Sequence, residues 1–500
     1  MISLHIWAGV LLSLVIATCA TCVPAGEREK REVGNYDAYS VVVEHTCGGA
    51  YLQIMHLDWE SIESPTQAPA STVVYSEFVS AADTIFTDKD AFYAFLAQLV
   101  ERIQGAIQDN DADFSDWGYV YFQYLLSSDL FALNDSYMTT WYQWLMEWYN
   151  NKDLNPFYSQ GEWVRVVSGE EAASNWWLGL NSLRSDGYFN SNGAITDSYG
   201  VLGQSRGSTQ ISFVPSSGAY DGHYPVYAGG RRYPLYSANN DGYGWDFLHF
   251  LLLSSLAEEN PDAKVITSPC VMKGDEYMIE LSGRHYRVTG SGDYAACAAK
   301  VEFYWGELQK VYGSGDGAGA GGLGGYVGLG GFAGGSGGSS GYIGGKVVPS
   351  VADTTFFVMG EYDAAFRALG VIDAQGKVDL SLFKQKTQEF SSKTVNEIVK
   401  QYPDLNANLI SKIYQLGIYS PKVFESYGFE AGSAKIYTPR KADGSVSVKL
   451  SQQAYENASR GGAVSGAAAS GGGGDGSLGW TYGATLDNLP PREDCFCARQ

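Results

Sequence analysis

Apolar positions follow two different periods that alternate along the chain. Across residues 39–57 they form two runs about a turn. Val41, Val42 and Val43 precede it, and Tyr51, Gln53 and Met55 follow it, opposed to Leu52 and Ile54. A period of two predicts a β-hairpin. From residue 84 to 108 the spacing becomes helical, with Phe92, Phe95, Leu96, Leu99, Val100 and Ile103 on one face. Residues 117–122 are aromatic and strand-like, and the Trp- and Tyr-rich residues 129–150 predict another helix. Further helices are expected over 247–256 and 301–311, and amphipathic helices over 353–450, including 409–416.

Residues 162–215 hold the densest signal. Residues 163–167 are short, apolar and β-branched, which predicts a buried strand. Ser168 is a good N-cap, and Glu171 stands three residues on, as a capping box requires. The helix that follows presents Ala173, Trp176, Trp177, Leu180 and Leu183 on one face. Strand-to-helix corners of this kind often carry chemistry in folds that bind phosphates. Strands alternating with helices behind a leading hairpin give an α/β fold class.

Composition refines this reading. Five hundred residues with 45% hydrophobic content exceed one ordinary domain. A formal net charge of −22 argues against nucleic acid or an anionic membrane surface as partner. An apolar run over residues 2–17, ending in small residues, reads as the core of a signal peptide spanning 1–24, although no Lys or Arg precedes it. It falls short of the ~20 apolar residues of a membrane span, and no other run is longer. The expectation is a secreted or luminal chain with no transmembrane segment after cleavage. Arg28-Glu29-Lys30-Arg31 reads either as a dibasic processing site or as an exposed charged linker.

Residues 313–345 are dominated by Gly, with Tyr326, Phe332 and Tyr342 scattered among them, and predict a flexible insertion. The insertion lacks the Gly-Lys-Ser/Thr ending of a Walker phosphate loop. Residues 461–476 form a second Gly/Ala/Ser-rich run, a linker by composition. Of seven cysteines, Cys19 and Cys22 lie in or beside the signal, leaving an odd set of five that implies an extra thiol or a pairing to another chain. Cys495 and Cys497 are too close for a C-x2-C metal pattern, and no zinc spacing occurs. Sequons at Asn134 and Asn457 are candidate glycosylation sites.

Three motifs carry a resemblance. Ser168-Gly169-Glu170-Glu171, followed by Trp177, Asn181 and Leu183 as Trp-x-x-x-Asn-x-Leu, is similar to the third of five apyrase conserved regions. Gly207-Ser208-Thr209-Gln210-Ile211-Ser212-Phe213-Val214-Pro215 resembles the fourth. Arg232-Tyr233-Pro234-Leu235-Tyr236-Ser237, then Gly242-Tyr243-Gly244, resembles the fifth. On these the chain is identified as a member of the apyrases, the nucleoside triphosphate diphosphohydrolases of the guanosine-diphosphatase type, from about residue 36 to 491. The resemblance implies a two-lobed actin-like (ribonuclease H-like) fold with an interlobe cleft. The first lobe would span 36–162, joined by 477–491, and the second 163–460. It also implies a Cys270–Cys297 disulfide, and base-binding by Tyr236 and by Trp480 in the closing segment 479–483.

Hydrolysing a terminal phosphate needs an amide cradle, a metal held by oxygen ligands, a carboxylate base and polar groups that hold the water. Glu44-His45-Thr46-Cys47-Gly48-Gly49 stands where the family has Asp-x-Gly-Ser-Ser/Thr. Glu44 keeps a carboxylate on the metal side, and Thr46, Gly48 and Gly49 are phosphate candidates; the alternative is a hairpin turn with no ligand. Residues 118–130 match the second cradle but lack its Gly-x-Thr-x-Gly, and Tyr124 and the leucines would fill the phosphate's space, so the stretch reads as core or helix start. The family's catalytic Glu falls on Ala172. Glu171, one residue earlier, faces elsewhere on a helix. It is either the capping-box partner of Ser168 or, with the helix start shifted by one, the base. Gly203-Gln204-Ser205-Arg206 replaces the family's Asp-x-Gly-Gly, so the metal-linked Asp is gone. Arg206 would pair with phosphate oxygens or sit at a surface turn. Gly207 remains in the cradle, and Ser208 and Gln210 match the residues that hold the attacking water.

The expected function is therefore a secreted apyrase-like protein with an impaired catalytic site, without cofactor, binding an extracellular protein or glycan partner or acting as a structural component. The alternative is an active nucleoside tri- and diphosphate phosphohydrolase that uses Ca2+ or Mg2+. A third reading keeps nucleotide capture without turnover, through Arg206, Ser208, Tyr236 and Trp480.

Overall fold

The structure, a computed structural model, describes residues 38–46, 49–58, 70–127, 135–184, 198–205, 207–216, 223–228, 231–281, 283–313, 341–403, 405, 407–429, 435–439, 441 and 445. The signal segment, both sequon asparagines, Gly48, Arg206, Trp480, most of the Gly-rich insertion and the 461–476 run lie outside these residues.

Two sheets organise the chain, and they repeat one topology. The first contains β1 (Ala38–Thr46), β2 (Gly49–Asp58), β3 (Ala70–Ser80), β4 (Tyr121–Ser127) and β5 (Val164–Val167), in the order β3-β2-β1-β4-β5. The hairpin read from the sequence runs in register from Ala38 opposite Leu57 to Thr46 opposite Gly49. Strand β4 then adds parallel to β1, and β5 parallel to β4. The second sheet contains β6 (Gly200–Gln204), β7 (Ser208–Phe213), β8 (His223–Ala228), β9 (Arg231–Asp241), β15 (Phe356–Val358) and β16 (Ile436–Tyr437). Its order is β16-β15-β6-β7-β9-β8, with β6, β7 and β9 antiparallel and β15 and β16 added in parallel. With the extra edge strand β8 set aside, both sheets read third-second-first-fourth-fifth. This duplicated arrangement is the two-lobed α/β, actin-like architecture.

The helices are α1 (Lys89–Asn110), α2 (Asp135–Asn150), α3 (Gly169–Ser182), α4 (Trp245–Glu259), α5 (Tyr294–Gly313), α6 (Glu361–Leu369), α7 (Leu380–Ser391), α8 (Val395–Gln401) and α9 (Ala407–Ser426). On one face of the first sheet, Val41, Val43, Leu52 and Ile54 pack with Phe92, Leu96 and Leu99 of α1 and Trp141 and Leu145 of α2. The second lobe builds the larger core, in which α4, α5, α6, α7 and α9 contribute. A third core joins the sheets: Val42, Met55 and Leu125 of the first meet Trp176, Trp177 and Leu180 of α3 and Val201, Tyr233 and Leu235 of the second. Helix α3 lies directly on the second sheet. A Cβ on Gly203 would sit 2.2 Å from the Trp176 ring, and one on Gly169 would sit 2.1 Å from the Asn239 side chain.

A small sheet of β10 (Val265–Ser268), β11 (Glu276–Leu281) and β12 (Arg284–Gly290) completes the second lobe. Beside it a disulfide joins Cys270 to Cys297 of α5, both fully buried.

Several expectations are corrected. Residues 117–119 form a 3-10 turn, and the strand begins at Tyr121 and runs through the stretch read as core or helix start. Tyr124, Leu125 and Leu126 are fully buried, but in a strand, because β4 is covered on both faces. Strand β5 belongs to the first sheet, so the first lobe extends to Val167 and past residue 162. The region 353–450 contains two strands besides its helices. The tail of the Gly-rich insertion is a hairpin, β13 (Gly341–Ile343) and β14 (Lys346–Val348), turned by Gly344 and Gly345 at positive φ. Ile343 and Val348 anchor it in the core, so this part is packed.

Candidate functional site

The corner between β5 and α3 faces the ends of β7 and β9. Ser208 to Gln210 open β7, and the turn before them is closed by reciprocal bonds. Ser205 N–H donates to the Ser208 carbonyl at 2.9 Å, and Ser208 N–H donates to Ser205 Oγ at 3.2 Å. Gly207 is held at that turn, where its carbonyl accepts from Gly242 N–H at 2.8 Å.

The second lobe collects a buried polar network here. Gln210 Nε2 donates to Ser208 Oγ at 2.6 Å and to Asn239 Oδ1 at 3.0 Å, and Asn239 Nδ2 donates to Asp241 Oδ1 at 2.7 Å. Thr209 Oγ1 and Asn240 Nδ2 both bond the Tyr427 hydroxyl at 2.8 Å. Gln204 donates to the Tyr243 carbonyl at 3.0 Å and accepts from the Tyr362 hydroxyl at 2.7 Å. Gln210 Oε1 is buried and accepts no bond within the described residues. Ser208 and Gln210 are thus brought together as the sequence placed them. Asn239, Asn240 and Tyr427 were missed; the polar run ending β9 was the signal for the two asparagines, and Tyr427, just past α9, had none.

Helix α3 begins as expected in one half of its cap: Ser168 Oγ accepts from Glu171 N–H at 3.1 Å. The other half differs. The Glu171 carboxylate does not return to the Ser168 backbone; it pairs with the guanidinium of Arg165 on β5. An Arg three residues before the N-cap offers charge-assisted bonds, which are stronger than a neutral cap bond. Glu170 turns toward the second lobe. Its carbonyl accepts from Ser237 Oγ at 2.7 Å, and its carboxylate lies 3.7 Å from the ammonium of Lys346 on β14. The same ammonium is 3.5 Å from the Asn239 carbonyl. Ala172 is half-buried beside them, with no carboxylate to offer.

The matching end of the first lobe is built of rings. His45, at the end of β1, is fully buried and shares a 2.5 Å hydrogen bond with the Tyr124 hydroxyl. Phe86, Phe92, Phe95 and Trp141 pack against its imidazole. Burial pushes His45 down to about 3, so the ring is neutral. Glu44, on the opposite face of β1, pairs across the sheet with Tyr51 and Leu125 and is half-buried. Thr46 closes the ladder opposite Gly49. Gly49 has φ 145° and its absent Cβ would lie 2.2 Å from the Val79 carbonyl oxygen, so close packing against β3 demands glycine there. Tyr236 is fully buried, edge-on to Phe213, in the second-lobe core.

Among the described residues no three His, Cys, Asp or Glu side chains converge as metal ligands. Of the carboxylates at the corner, Glu171 faces Arg165, Glu170 faces Lys346 and Asp241 accepts from Asn239. This donor set does not fit a divalent ion, which takes several oxygen ligands. No helix of the described residues is long and apolar enough to cross a membrane.

Residues 147–308, which contain the corner, β6 to β12 and most of α5, match the GDA1/CD39 (nucleoside phosphatase) family. The fold is similar to the crystal structure of a nucleoside triphosphate hydrolase from Neospora caninum, at TM-score 0.55 and 13% identity, over 97% of this chain and 96% of that one. A Ppx/GppA phosphatase of Aquifex aeolicus matches at TM-score 0.42 and 11% identity, over 83% of this chain and 97% of that one. An exopolyphosphatase from Cytophaga hutchinsonii matches at TM-score 0.39 and 9% identity, over 83% and 96%. At such identities the likeness concerns the fold alone. The family match falls on the residues of the motifs themselves, and over residues 147–308 the chain carries a GDA1/CD39 nucleoside phosphatase family domain, that of the apyrases.

Proposed function

We propose that this chain is a secreted, catalytically impaired apyrase-like protein that acts by binding. The observation that carries the reading is the state of the carboxylates at the α3 corner. The base position holds Ala172, and the adjacent Glu171 is engaged by Arg165. A general base must reach the proton it removes, and its loss typically costs about 10²–10⁴-fold in rate. The first-lobe stretches add to this, since they lack the family's cradle glycines and Tyr124, Leu125 and Leu126 run there as a buried strand. Secretion is supported by the apolar run over residues 2–17, and glycosylation by the sequons at Asn134 and Asn457.

A second reading has one observation in its favour. Ser208 and Gln210 remain hydrogen-bonded to each other, with Gln210 Oε1 left as an acceptor, an arrangement suited to holding a water. On that reading the chain hydrolyses nucleoside tri- and diphosphates with Ca2+ or Mg2+, and Glu171 leaves Arg165 to act as base. Steady-state phosphate release from ATP and ADP by the purified protein, with either ion and with chelator, separates the two. Release no higher than the protein-free rate is expected; turnover that chelator abolishes would retire the binding-only reading.

A further inference from the structure

A concavity with polar walls lies away from the α3 corner. It has a volume of about 450 Å³, within the ~300–1,000 Å³ of small-ligand sites, and is formed between the loop that follows β10 and the starts of α8 and α9. We propose that it is a carbohydrate-binding site, accepting one or two neutral sugar rings.

One wall is rigid before any ligand arrives. The Cys270–Cys297 disulfide anchors it, and three backbone bonds tie it down: Gly274 N–H to the Gly290 carbonyl at 3.1 Å, Gly292 N–H to the Val271 carbonyl at 3.0 Å, and Asp275 N–H to the Met272 carbonyl at 3.0 Å. On the same wall the Tyr277 hydroxyl is held by His249 Nε2 at 2.7 Å, which fixes the ring. Preorganisation of this sort lowers the entropy cost of binding.

The polar groups in the cavity are donors and acceptors without a strong partner. Asp275 makes no ion pair among the described residues. Its Oδ1 accepts from Glu276 N–H at 3.0 Å, and its Oδ2 has only a long 3.4 Å contact from Ser411 Oγ. Tyr414 is 1% exposed and closes the floor of the cavity, with its hydroxyl buried behind it. Asn396 and Gln415 add amides that both donate and accept. A carboxylate, amides, hydroxyls and aromatic rings together match the alternating donors and acceptors of vicinal hydroxyls and the apolar face of a sugar ring. No Lys or Arg lines the cavity, and the Asp275 carboxylate repels anions, which argues against phosphate or nucleotide here. The site shares no residue with the α3 corner, so it stands whether or not that corner turns over nucleotide.

Saturation-transfer NMR on the purified full chain tests this, with glucose, galactose, N-acetylglucosamine and lactose as probes and spermidine as an amine comparison. Transfer to at least one sugar is expected. Asp275→Asn should weaken it about 10-fold or more, as expected for a hydrogen bond to a charged group. Ser411→Trp, which fills the cavity from a partly exposed position, should abolish it; unchanged far-UV circular dichroism will show that these variants fold. Transfer to none of the sugars, transfer that survives Ser411→Trp, or binding of spermidine without sugar would each overturn the assignment.

Discussion

The two lobes answer one topology with opposite chemistry. At the end of β1 and β4 the first lobe puts His45, Tyr124 and Trp141 in a dry aromatic cluster. At the ends of β6 and β7 the second lobe puts polar side chains: Gln204 bonds the Tyr243 carbonyl and the Tyr362 hydroxyl, and Gln210 bonds Ser208 and Asn239. A phosphate between lobes needs amide donors from both sides, and only one side retains polar strand ends. The difference teaches what a shared topology constrains: the sheet's register depends on apolar alternation, while side chains near its strand ends are free to be polar or core.

The largest expected effect breaks the aromatic end. Trp141→Ala should cost about 3–5 kcal/mol of stability, from lost burial plus the cavity left behind. Urea unfolding followed by far-UV circular dichroism will read it.

Acid sharpens the same contrast. His45 is held down at about 3 and His249 at about 4 by burial, with Asp246 opposing the second shift. Below the unfolded value near 6.5 the unfolded chain binds protons that the folded chain refuses. Stability is therefore full above about pH 6.5 and falls as pH drops toward the folded values. Each histidine should contribute a loss of about 2.5–3 kcal/mol by about pH 4.5. Urea midpoints across pH should show it, and His45→Gln should flatten the acid limb by one proton's slope.

A smaller effect is expected at the polar end. Gln210→Ala leaves Ser208 and Asn239 short of a partner and should cost about 1–3 kcal/mol. Its thermal midpoint should fall less than that of Trp141→Ala. Smallest is the pair at the corner: Arg165→Ala should change stability by about 1 kcal/mol or less, since the pair is partly exposed. Equilibrium unfolding of that variant checks it.

Much of this was legible in the chain. The 39–57 hairpin, α1 and α3 follow from clean periods of two and 3.6, and the Ser208–Gln210 pair lay in an intact motif. Strands β15 and β16 were not legible, because three and two residues carry no period and their pairing is set by distant partners. The fate of Glu171 was half legible. Its spacing from Ser168 announced the cap, but its pairing with Arg165 depends on how β5 enters the helix, which no local pattern encodes. The His45 cage was invisible for a similar reason. Its rings come from β1, β4, the turn before α1, α1 itself and α2, and only the packed sheet brings them together.

The central claim is that the α3 corner lacks a working base. The most direct measurement is phosphate release under single-turnover conditions, with protein in excess over ATP, comparing the natural chain with Glu171→Ala in Ca2+ or Mg2+ and in chelator. The account predicts equal, background-level release in every arm. Metal-dependent release from the natural chain that disappears in Glu171→Ala would contradict it and make Glu171 the base.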